Sequence, residues 1–289
     1  MARLGYVGLG IMGGPMARHL ATAKHSMTVY NRTTAKADAW VSQHGGARVL
    51  TPREVAQASD VVLMCVGNDD DVRSVVFGAD GILAGLKTGG ILVDHTTASA
   101  TIAREIADAC AKQGCGFVDA PVSGGQAGAE NGQLTIMCGS NDPATFDAIE
   151  PIIAAYAKRS KLLGTAGSGQ LAKMVNQICI AGIAQGLSEA LNFAMRAGLD
   201  PDDVVDVISK GAAQSWQMEN RAKTMVRSEF EFGFAVEWMR KDLGICFDEA
   251  SRNGAQLPMT EMVDKFYAEV VAMGGRRWDT SSLIARLTD

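Results

Sequence analysis

A glycine-rich run close to the N-terminus is the feature that most limits how this chain can fold. It directly follows the apolar segment 4–7 and precedes a stretch of helical periodicity near 12–24. A strand, a G-x-G-x-x-G turn and a helix in this order are typical of the first βα unit of a dinucleotide-binding domain, where amides at the helix start hold a pyrophosphate. A glycine-rich turn that binds no ligand is the alternative. The run consists of Gly8, Leu9, Gly10, Ile11, Met12 and Gly13.

Short β-type segments alternate with helical patterns up to residue 163, and the strand signals stop after the turn-rich segment 164–169. This alternation indicates βαβ units and a mostly parallel sheet with its ligand crevice at the carboxyl ends of the strands. We therefore predict an α/β fold with an N-terminal Rossmann-type, doubly wound domain (1–163) and an all-helical C-terminal domain (164–289). The predicted strands lie at 4–7, 27–30, 61–66, 91–94, 117–119, 135–138 and 160–163. The predicted helices lie near 12–24, 34–44, 53–58, 69–77, 99–113, 143–157, 170–196, 202–209, 216–227, 236–252, 259–273 and 280–287.

The end of the second predicted strand bears on the choice of cofactor. An NAD-selective site normally presents Asp or Glu to the adenosine ribose here, whereas this chain has Asn31, Arg32 and Thr33. The guanidinium of Arg32 could pair with a 2′-phosphate, which favours NADP. It could equally stack on adenine in an NAD site, so NAD is the alternative.

Charge and cysteine usage argue against several classes of protein. A formal net charge of −5 at pH 7, with no run of Lys or Arg, argues against a nucleic-acid partner, which needs a clustered basic field. The six cysteines form no C-x-x-C pair and have no neighbouring histidines, so we expect reduced thiols and no metal site. The chain shows no signal-peptide pattern and no uninterrupted apolar run of about 18 residues. We therefore expect a cytoplasmic protein with no membrane partner.

Lysine, and not histidine, is the candidate acid/base. All four histidines precede residue 96, so the predicted helical domain contains none. Lys173 stands one turn into the long apolar helix, where we expect the two domains to meet, and Asn176 and Gln177 follow on the same helical face. Partial burial would lower the pKa of this lysine toward neutrality and let it both give and take a proton. A lysine whose charged end simply reaches solvent is the alternative.

A second polar constellation follows the predicted strand at 117–119. Pro121 stiffens the turn there. Ser123 and the amides of Gly124 and Gly125 could form an anion-binding nest for a substrate carboxylate. An ordinary turn at the end of a strand is the alternative.

The helix predicted over 170–196 is apolar almost all round. Gly198 ends it as a left-handed C-cap, and Asp200 and Pro201 start the next helix. Because one small helical layer could not cover such a helix, we predict a homodimer or homotetramer built on the helical domain.

Four segments taken together resemble the β-hydroxyacid dehydrogenase family, the relatives of 3-hydroxyisobutyrate dehydrogenase and tartronate semialdehyde reductase. They are GLGIMGGPMA at 8–17, DAPVSGG at 119–125, GSGQLAKMVNQ at 167–177 and RKDL at 240–243. The resemblance covers the whole chain, and four motifs in the family's order and spacing are far more specific than any one of them. It implies a nicotinamide-dependent oxidoreductase with a C-terminal domain like that of 6-phosphogluconate dehydrogenase.

The resemblance also implies roles for residues at the reacting centre. Lys173 matches the catalytic lysine, and Asn176 matches a residue that orients the substrate. Ser123, Gly124 and Gly125 match the loop that binds the substrate carboxylate.

On the cofactor side, Lys241 matches a lysine near the nicotinamide, and Thr97 matches a Ser/Thr position that contacts the cofactor. The chain departs from the family pattern twice. Val66 and Gly67 stand where many members have Leu-Pro, in the loop that we expect at the cofactor. Gln177, which we place at the substrate, stands where many members have a second asparagine, and this leaves the identity of the substrate open.

The function expected from these residues is hydride transfer between a nicotinamide and a small hydroxy acid or its aldehyde or keto form, with Lys173 moving the proton. One alternative is an imine or ketone reductase of the same fold, although such an enzyme needs neither an anion nest nor a lysine acid. The other is a dinucleotide-binding scaffold without catalysis, against which Lys173 and Asn176 argue.

Overall fold

A computed structural model describes residues 2–288. Its chain divides into two compact units, Met1–Lys173 and Met174–Asp289. The strands of the first unit are β1 Arg3–Val7, β2 Ser26–Tyr30, β3 Ala47–Arg48, β4 Val61–Met64, β5 Ile91–Asp94, β6 Gly116–Asp119, β7 Val122–Ser123, β8 Leu134–Cys138 and β9 Ala157–Leu162. Its helices are α1 Gly13–Thr22, α2 Thr34–His44, α3 Pro52–Gln57, α4 Asp69–Val76, α5 Ile82–Gly85, α6 Ala100–Lys112, α7 Gly125–Glu130 and α8 Pro143–Ile153.

Six of these strands form one parallel sheet in the order β3-β2-β1-β4-β5-β6. The strands read as continuous apolar runs because both faces of the sheet are buried: Leu63 of β4 packs into one core cluster, and its neighbours Val62 and Met64 pack into another. The strand order reverses between β1 and β4, and in sheets of this kind ligands bind at the carboxyl ends beside that reversal. The predicted α/β fold is confirmed.

The last two predicted strands belong to a separate sheet. β7, β8 and β9 form a three-stranded sheet in which β7 pairs antiparallel and β9 parallel with β8. A bridge between Asp119 and Gly139 connects the end of β6 to the end of β8. This sheet therefore fixes the segment that follows β6.

The second unit is helical over the residues that the structure describes. After α9, Ser168–Arg196, come α10 Pro201–Ile208, α11 Trp216–Val226, α12 Val236–Asn253, α13 Pro258–Ala272 and α14 Ala285–Thr288. The turn after α9 is as predicted, since Gly198 has φ 74° and the Asp200 carboxylate accepts the Asp202 amide at 2.8 Å. The helix predicted at 280–287 is instead a 3-10 helix, Thr280–Ile284, followed by α14. The domain boundary predicted between 163 and 164 lies just before α9 and remains a prediction.

Helix α9 has one buried and one exposed apolar face. Ala184 and Leu191 are buried, whereas Val175 and Phe193 are 62% and 72% exposed. The exposed apolar and small residues recur every three or four positions and define what we call the α9 stripe: Val175, Cys179, Ile183, Gly186, Ala190 and Phe193. The exposed Glu189 lies beside the C-terminal half of this stripe. By length and composition α9 could cross a membrane, with a mean hydropathy of 1.3 in its most apolar window. A core helix of a soluble protein passes the same test, so this is weak evidence for a membrane span.

Candidate active site

The three glycines of the N-terminal run differ in the space that surrounds them. A Cβ on Gly8, which has φ +96°, would lie 2.2 Å from the carbonyl oxygen of Cys65, and a Cβ on Gly13 would lie 1.9 Å from that of Gly8. These two positions let the chain turn tightly and let α1 pack close to the sheet. A Cβ on Gly10 would meet no atom within 4 Å, so this position opens to solvent instead.

The start of α1 is suited to an anion. No side chain caps this helix, and its first turn contains no acidic residue. The positive end of the helix dipole therefore faces the open space at Gly10 without a competing carboxylate. The glycine run thus has the space and the polarity that a pyrophosphate needs, and its role in binding the cofactor remains a prediction.

Asn31, at the end of β2, is hydrogen-bonded to the glycine run. Its side-chain oxygen accepts the Leu9 amide at 2.9 Å, and its side-chain nitrogen donates to the Thr33 carbonyl at 3.0 Å. The neighbouring Arg32 side chain is 85% exposed and pairs with Asp71 at the start of α4, at 3.1 Å. Asn31 is therefore held by the protein itself, and the Arg32 guanidinium is the cationic group at this edge that can turn to a ligand.

The loops after β4 and β5 are joined beside the glycine run. The Val66 amide donates to the Thr96 hydroxyl oxygen at 3.0 Å, and the Thr96 amide donates to Asp94 at 2.8 Å. Asp94 is fully buried, and burial raises its pKa to about 7. Next to it, the buried His95 lies 2.8 Å from the Tyr156 hydroxyl, and burial lowers its pKa to about 4. These contacts fix the loop that leads to Thr97.

Asp119, at the end of β6, holds the start of α9. Its two carboxylate oxygens accept the backbone amides of Gly167 at 2.8 Å and Gln170 at 2.9 Å. The side chain of Gln170 is fully buried and donates to the Thr96 carbonyl at 2.8 Å, while its oxygen accepts the Ala98 amide at 3.1 Å. Two separate loops of the first unit therefore fix the turn of α9 that precedes Lys173.

Lys173 lies three residues after Gln170 on α9 and is buried, with 8% of its surface exposed. A lysine that simply reaches solvent from a helix start would be far more exposed. The burial that the sequence analysis assumes for this residue is therefore present, and its catalytic role remains a prediction.

The turn that follows β7 contains the two glycines of the predicted anion nest. Ser123 pairs with Thr135 of β8, and the next two residues, Gly124 and Gly125, have φ of 134° and 62°. Two consecutive glycines with positive φ allow successive amides to point to the same side. The assignment of a carboxylate to this nest remains a prediction.

The other predicted site residues form a hydrogen-bonded chain within the second unit. The Asn176 side-chain amide donates to the Gln177 oxygen at 2.8 Å, and the Gln177 amide donates to the buried Asp242 at 2.7 Å. Lys241 pairs with the same carboxylate at 3.0 Å. These contacts join α9 to α12 through Gln177 and Asp242.

Sequence reasoning assigned no role to Asp94, Asp119, Gln170 or Asp242 at this site. Each is a buried polar residue, and two of them end an apolar strand. A buried carboxylate at the carboxyl end of a parallel strand is the signal that could have drawn attention to Asp94 and Asp119.

The chain matches two known family profiles. The first, described as the NAD binding domain of 6-phosphogluconate dehydrogenase, covers residues 3–167. The second, described as NAD-binding of NADP-dependent 3-hydroxyisobutyrate dehydrogenase, covers residues 167–287.

Individual relatives agree with these profiles. The chain is 61% identical to an uncharacterized oxidoreductase of Shewanella frigidimarina, over 99% of this chain and 98% of that protein. It is 35% identical to the 2-hydroxy-3-oxopropionate reductase of Escherichia coli, over 99% of this chain and 97% of that protein. A Mycobacterium tuberculosis 3-hydroxyisobutyrate dehydrogenase solved with L-serine superposes with a TM-score of 0.89 at 28% identity, over 100% of both chains. The chain therefore belongs to the β-hydroxyacid dehydrogenase family and is an NAD(P)-dependent oxidoreductase that acts on hydroxyl donors.

Proposed function

We propose that this dehydrogenase interconverts a small β-hydroxy acid and its semialdehyde or keto form, with Lys173 as the general acid and base. The observation that carries the proposal is the burial of Lys173 one turn beyond a helix start that Asp119 and Gln170 fix. A buried amine of this kind can exchange a proton with a substrate oxygen at its side. When bound, the nicotinamide supplies the hydride or takes it up.

The proton and the hydride are both added to the substrate in reduction and both removed from it in oxidation. In reduction, the Lys173 ammonium donates a proton to the carbonyl oxygen as the carbonyl carbon receives the hydride. In oxidation, the neutral amine takes the hydroxyl proton as the hydride leaves the carbon. Asn176 follows Lys173 by three residues on the same helical face, so its side-chain amide is placed to orient the substrate oxygen.

The substrate that fits this proposal carries a carboxylate. The Ser123 hydroxyl and the amides of Gly124 and Gly125 are the donors that would hold it, and the positive φ of the two glycines supports this assignment. The Escherichia coli relative is named for a reductase of a short hydroxy-oxo acid. A small semialdehyde acid is therefore the class of substrate that we assign to this chain.

We assign NADP as the preferred cofactor. The end of β2 presents no carboxylate to the ribose, and the Arg32 side chain is 85% exposed. Its partner Asp71 holds it by a surface ion pair, which is worth only about 0–1 kcal/mol. A 2′-phosphate, with its double charge and two oxygens that pair with the two donors of a guanidinium, would replace that partner at little cost.

We also propose that the protein is a cytoplasmic homodimer or homotetramer. The α9 stripe presents Val175, Ile183 and Phe193 to solvent, and Glu189 is the exposed acidic residue beside it. An exposed face with large apolar side chains over most of its length marks an interaction surface in a soluble protein. The reduced state of the six cysteines, none of which forms a disulfide, is consistent with the cytoplasm.

The test of the catalytic role compares three variants under saturating cofactor. Lys173→Ala should lower kcat by about 10²–10⁴-fold, because the developing alkoxide loses its proton donor. Lys173→Arg should restore little, since a guanidinium keeps its proton. Ser123→Ala should instead raise the KM for the acid about tenfold to a hundredfold with a much smaller effect on kcat.

The substrate is to be found by following the oxidation of NADPH and NADH with glyoxylate and with succinic, tartronic and methylmalonic semialdehydes. Cofactor affinity is measured in parallel by the change in cofactor fluorescence on binding. A Lys173→Ala enzyme that keeps more than a tenth of wild-type kcat would show that the lysine is structural, because the loss of a general acid costs far more.

A further inference from the structure

We propose that Asp119 is a positioning residue for Lys173: it fixes the first turn of α9 and so sets where the lysine side chain leaves the helix. This inference rests on the proposed catalytic role of Lys173. The carboxylate of Asp119 accepts two amides, those of Gly167 at 2.8 Å and Gln170 at 2.9 Å. Gln170 is the third residue of α9, so one carboxylate 51 positions away in the sequence caps this helix.

Asp119 is itself fixed on both sides. Its backbone amide donates to the Gly139 carbonyl at 3.0 Å, and the Gly139 amide donates back to the Asp119 carbonyl at 2.8 Å. The next residue, Ala120, donates to the Asp94 carbonyl at 2.7 Å. The carboxylate therefore projects from a backbone that is hydrogen-bonded on both sides. The start of α9, which this carboxylate holds, is fixed relative to that backbone.

The packing around the carboxylate is too close to allow side chains. A Cβ on Gly139 would lie 2.5 Å from one Asp119 oxygen, and a Cβ on Gly169 would lie 2.8 Å from the other and 2.4 Å from the Met137 carbonyl oxygen. Contacts below 3 Å are essentially absent between real Cβ atoms and their neighbours. Glycine at both positions is thus what lets α9 approach Asp119 closely enough to be capped.

The side chain of Gln170 fixes the same turn from a second direction. It bonds the Thr96 carbonyl and the Ala98 amide, which lie in the loop after β5. Asp119 therefore holds the backbone of this turn, and the Gln170 side chain holds the turn against the loop after β5. Lys173, three residues later, lies on the side of the helix that Gln170 defines.

Both oxygens of Asp119 must be acceptors for this arrangement. Burial raises the pKa of Asp119 to about 6, while the amides of the helix start favour the charged form. Above this pH the carboxylate is ionised and accepts both amides, with the favourable charge of an acid at a helix N-terminus. An asparagine of the same shape would keep one acceptor and turn an NH₂ group toward the other amide, so the turn would have to shift.

The experiment is a double-mutant cycle with Asp119→Asn, Lys173→Ala and the combination of the two. Asp119→Asn should lower kcat by about tenfold to a hundredfold, the usual effect of displacing a reacting group by about 1 Å. The KM for the acid and the Kd for the cofactor should change much less. In the Lys173→Ala background Asp119→Asn should have no further effect on kcat, because the group it positions is gone.

A matched control is Asp200→Asn. Asp200 caps α10 by accepting the Asp202 and Asp203 amides at 2.8 and 3.4 Å, but it is exposed and lies outside the proposed machinery. Because one Asp200 oxygen accepts both amides and asparagine keeps such an oxygen, this variant should leave both the thermal midpoint and kcat nearly unchanged. If Asp119→Asn is too unstable to assay, Asp119→Glu keeps the charge and displaces the turn, and it should show the same selective loss of kcat.

Two results would overturn the inference. One is an unchanged kcat in both folded Asp119 variants. The other is an equal proportional loss of kcat with and without Lys173, which would mean that Asp119 supports the fold and not the lysine. Failure of the proposed function looks different, since Lys173→Ala itself would then keep its activity.

Discussion

The open space at Gly10 leads to a prediction that separates binding from folding. No φ in the left-handed region restricts Gly10, and an added Cβ would meet no atom within 4 Å. Gly10→Ala should therefore leave the free energy of unfolding unchanged or raise it by ~0.4–1 kcal/mol, since alanine restricts the unfolded chain. Its methyl group would occupy the space assigned to the pyrophosphate. Loss of one hydrogen bond to a charged phosphate costs ~1.5–3 kcal/mol, so the Kd for NADPH should rise about tenfold to 150-fold.

Gly8→Ala and Gly13→Ala should behave in the opposite way. Their Cβ atoms would lie within 2.2 Å and 1.9 Å of backbone carbonyl oxygens, which cannot move aside cheaply. Overpacking of this kind costs ~1–3 kcal/mol or more. Gly14→Ala is the neutral control, because its Cβ would lie 3.6 Å from the Leu9 carbonyl, an ordinary contact. The assays are urea unfolding followed by circular dichroism, and titration with NADPH followed by fluorescence. Gly10→Ala that unfolds, or that binds NADPH normally, would refute the assignment of this space.

Three further perturbations test separate parts of the account. Arg32→Ala should raise the KM for NADPH and leave that for NADH nearly unchanged, as measured by initial rates; equal effects on both would contradict a 2′-phosphate contact. Burial raises the pKa of Asp94 from 3.8 to about 7, so this group makes the free energy of unfolding fall as the pH rises from about 4 to 7. Burial lowers the pKa of His95 from 6.5 to about 4, so this group makes the free energy of unfolding rise over the same pH range. Asp94→Asn should remove the fall, so its urea-unfolding free energy should increase from pH 4 to pH 7 relative to wild type; parallel curves would show that Asp94 does not titrate in this range. Phe193→Glu, on the α9 stripe, should reduce the mass seen by light scattering toward the 30.5 kDa monomer, and an unchanged mass would remove α9 from the interface.

The sequence predicts the elements with long, regular patterns and misses those that depend on a partner. Five of the six parallel strands, all except β3, lie where the short apolar runs predict them. The helices α1 to α4, α6 and α8 lie where the helical patterns between those runs predict them. β3 and β7 have two residues each, too few to show any periodicity, and only their pairing with β2 and β8 makes them strands. For the same reason the sequence cannot tell that β8 and β9 leave the main sheet, because sheet membership is decided by hydrogen bonds between distant segments.

The site shows the same division. The glycine run and the sequence around Lys173 are local motifs, and local motifs can be read directly. Asp119 and Gln170 form hydrogen bonds with residues 48 to 74 positions away in the sequence. The residues next to them in the sequence therefore do not indicate these contacts. The network of Asn176, Gln177 and Asp242 likewise depends on two helices meeting. Sequence reasoning therefore finds candidates that belong to local motifs and overlooks residues whose contacts lie far away in the sequence.

The close packing of Gly139 and Gly169 against Asp119 also bears on how this protein can change over time. Asp119, Gly139 and Gly169 are spread across 51 residues of the sequence, and a side chain added at either glycine would collide with the Asp119 carboxylate. Single substitutions at these three positions are therefore expected to fail, and only combined changes can be tolerated. In a saturation-mutagenesis screen Gly139 and Gly169 should be as intolerant as the residues that touch substrate, although neither carries a side chain that could do so. Intolerance at these two glycines would result from the close packing at the start of α9 and not from contact with a ligand. A binding site defined only by the intolerant positions of such a screen would therefore include residues that bind no ligand.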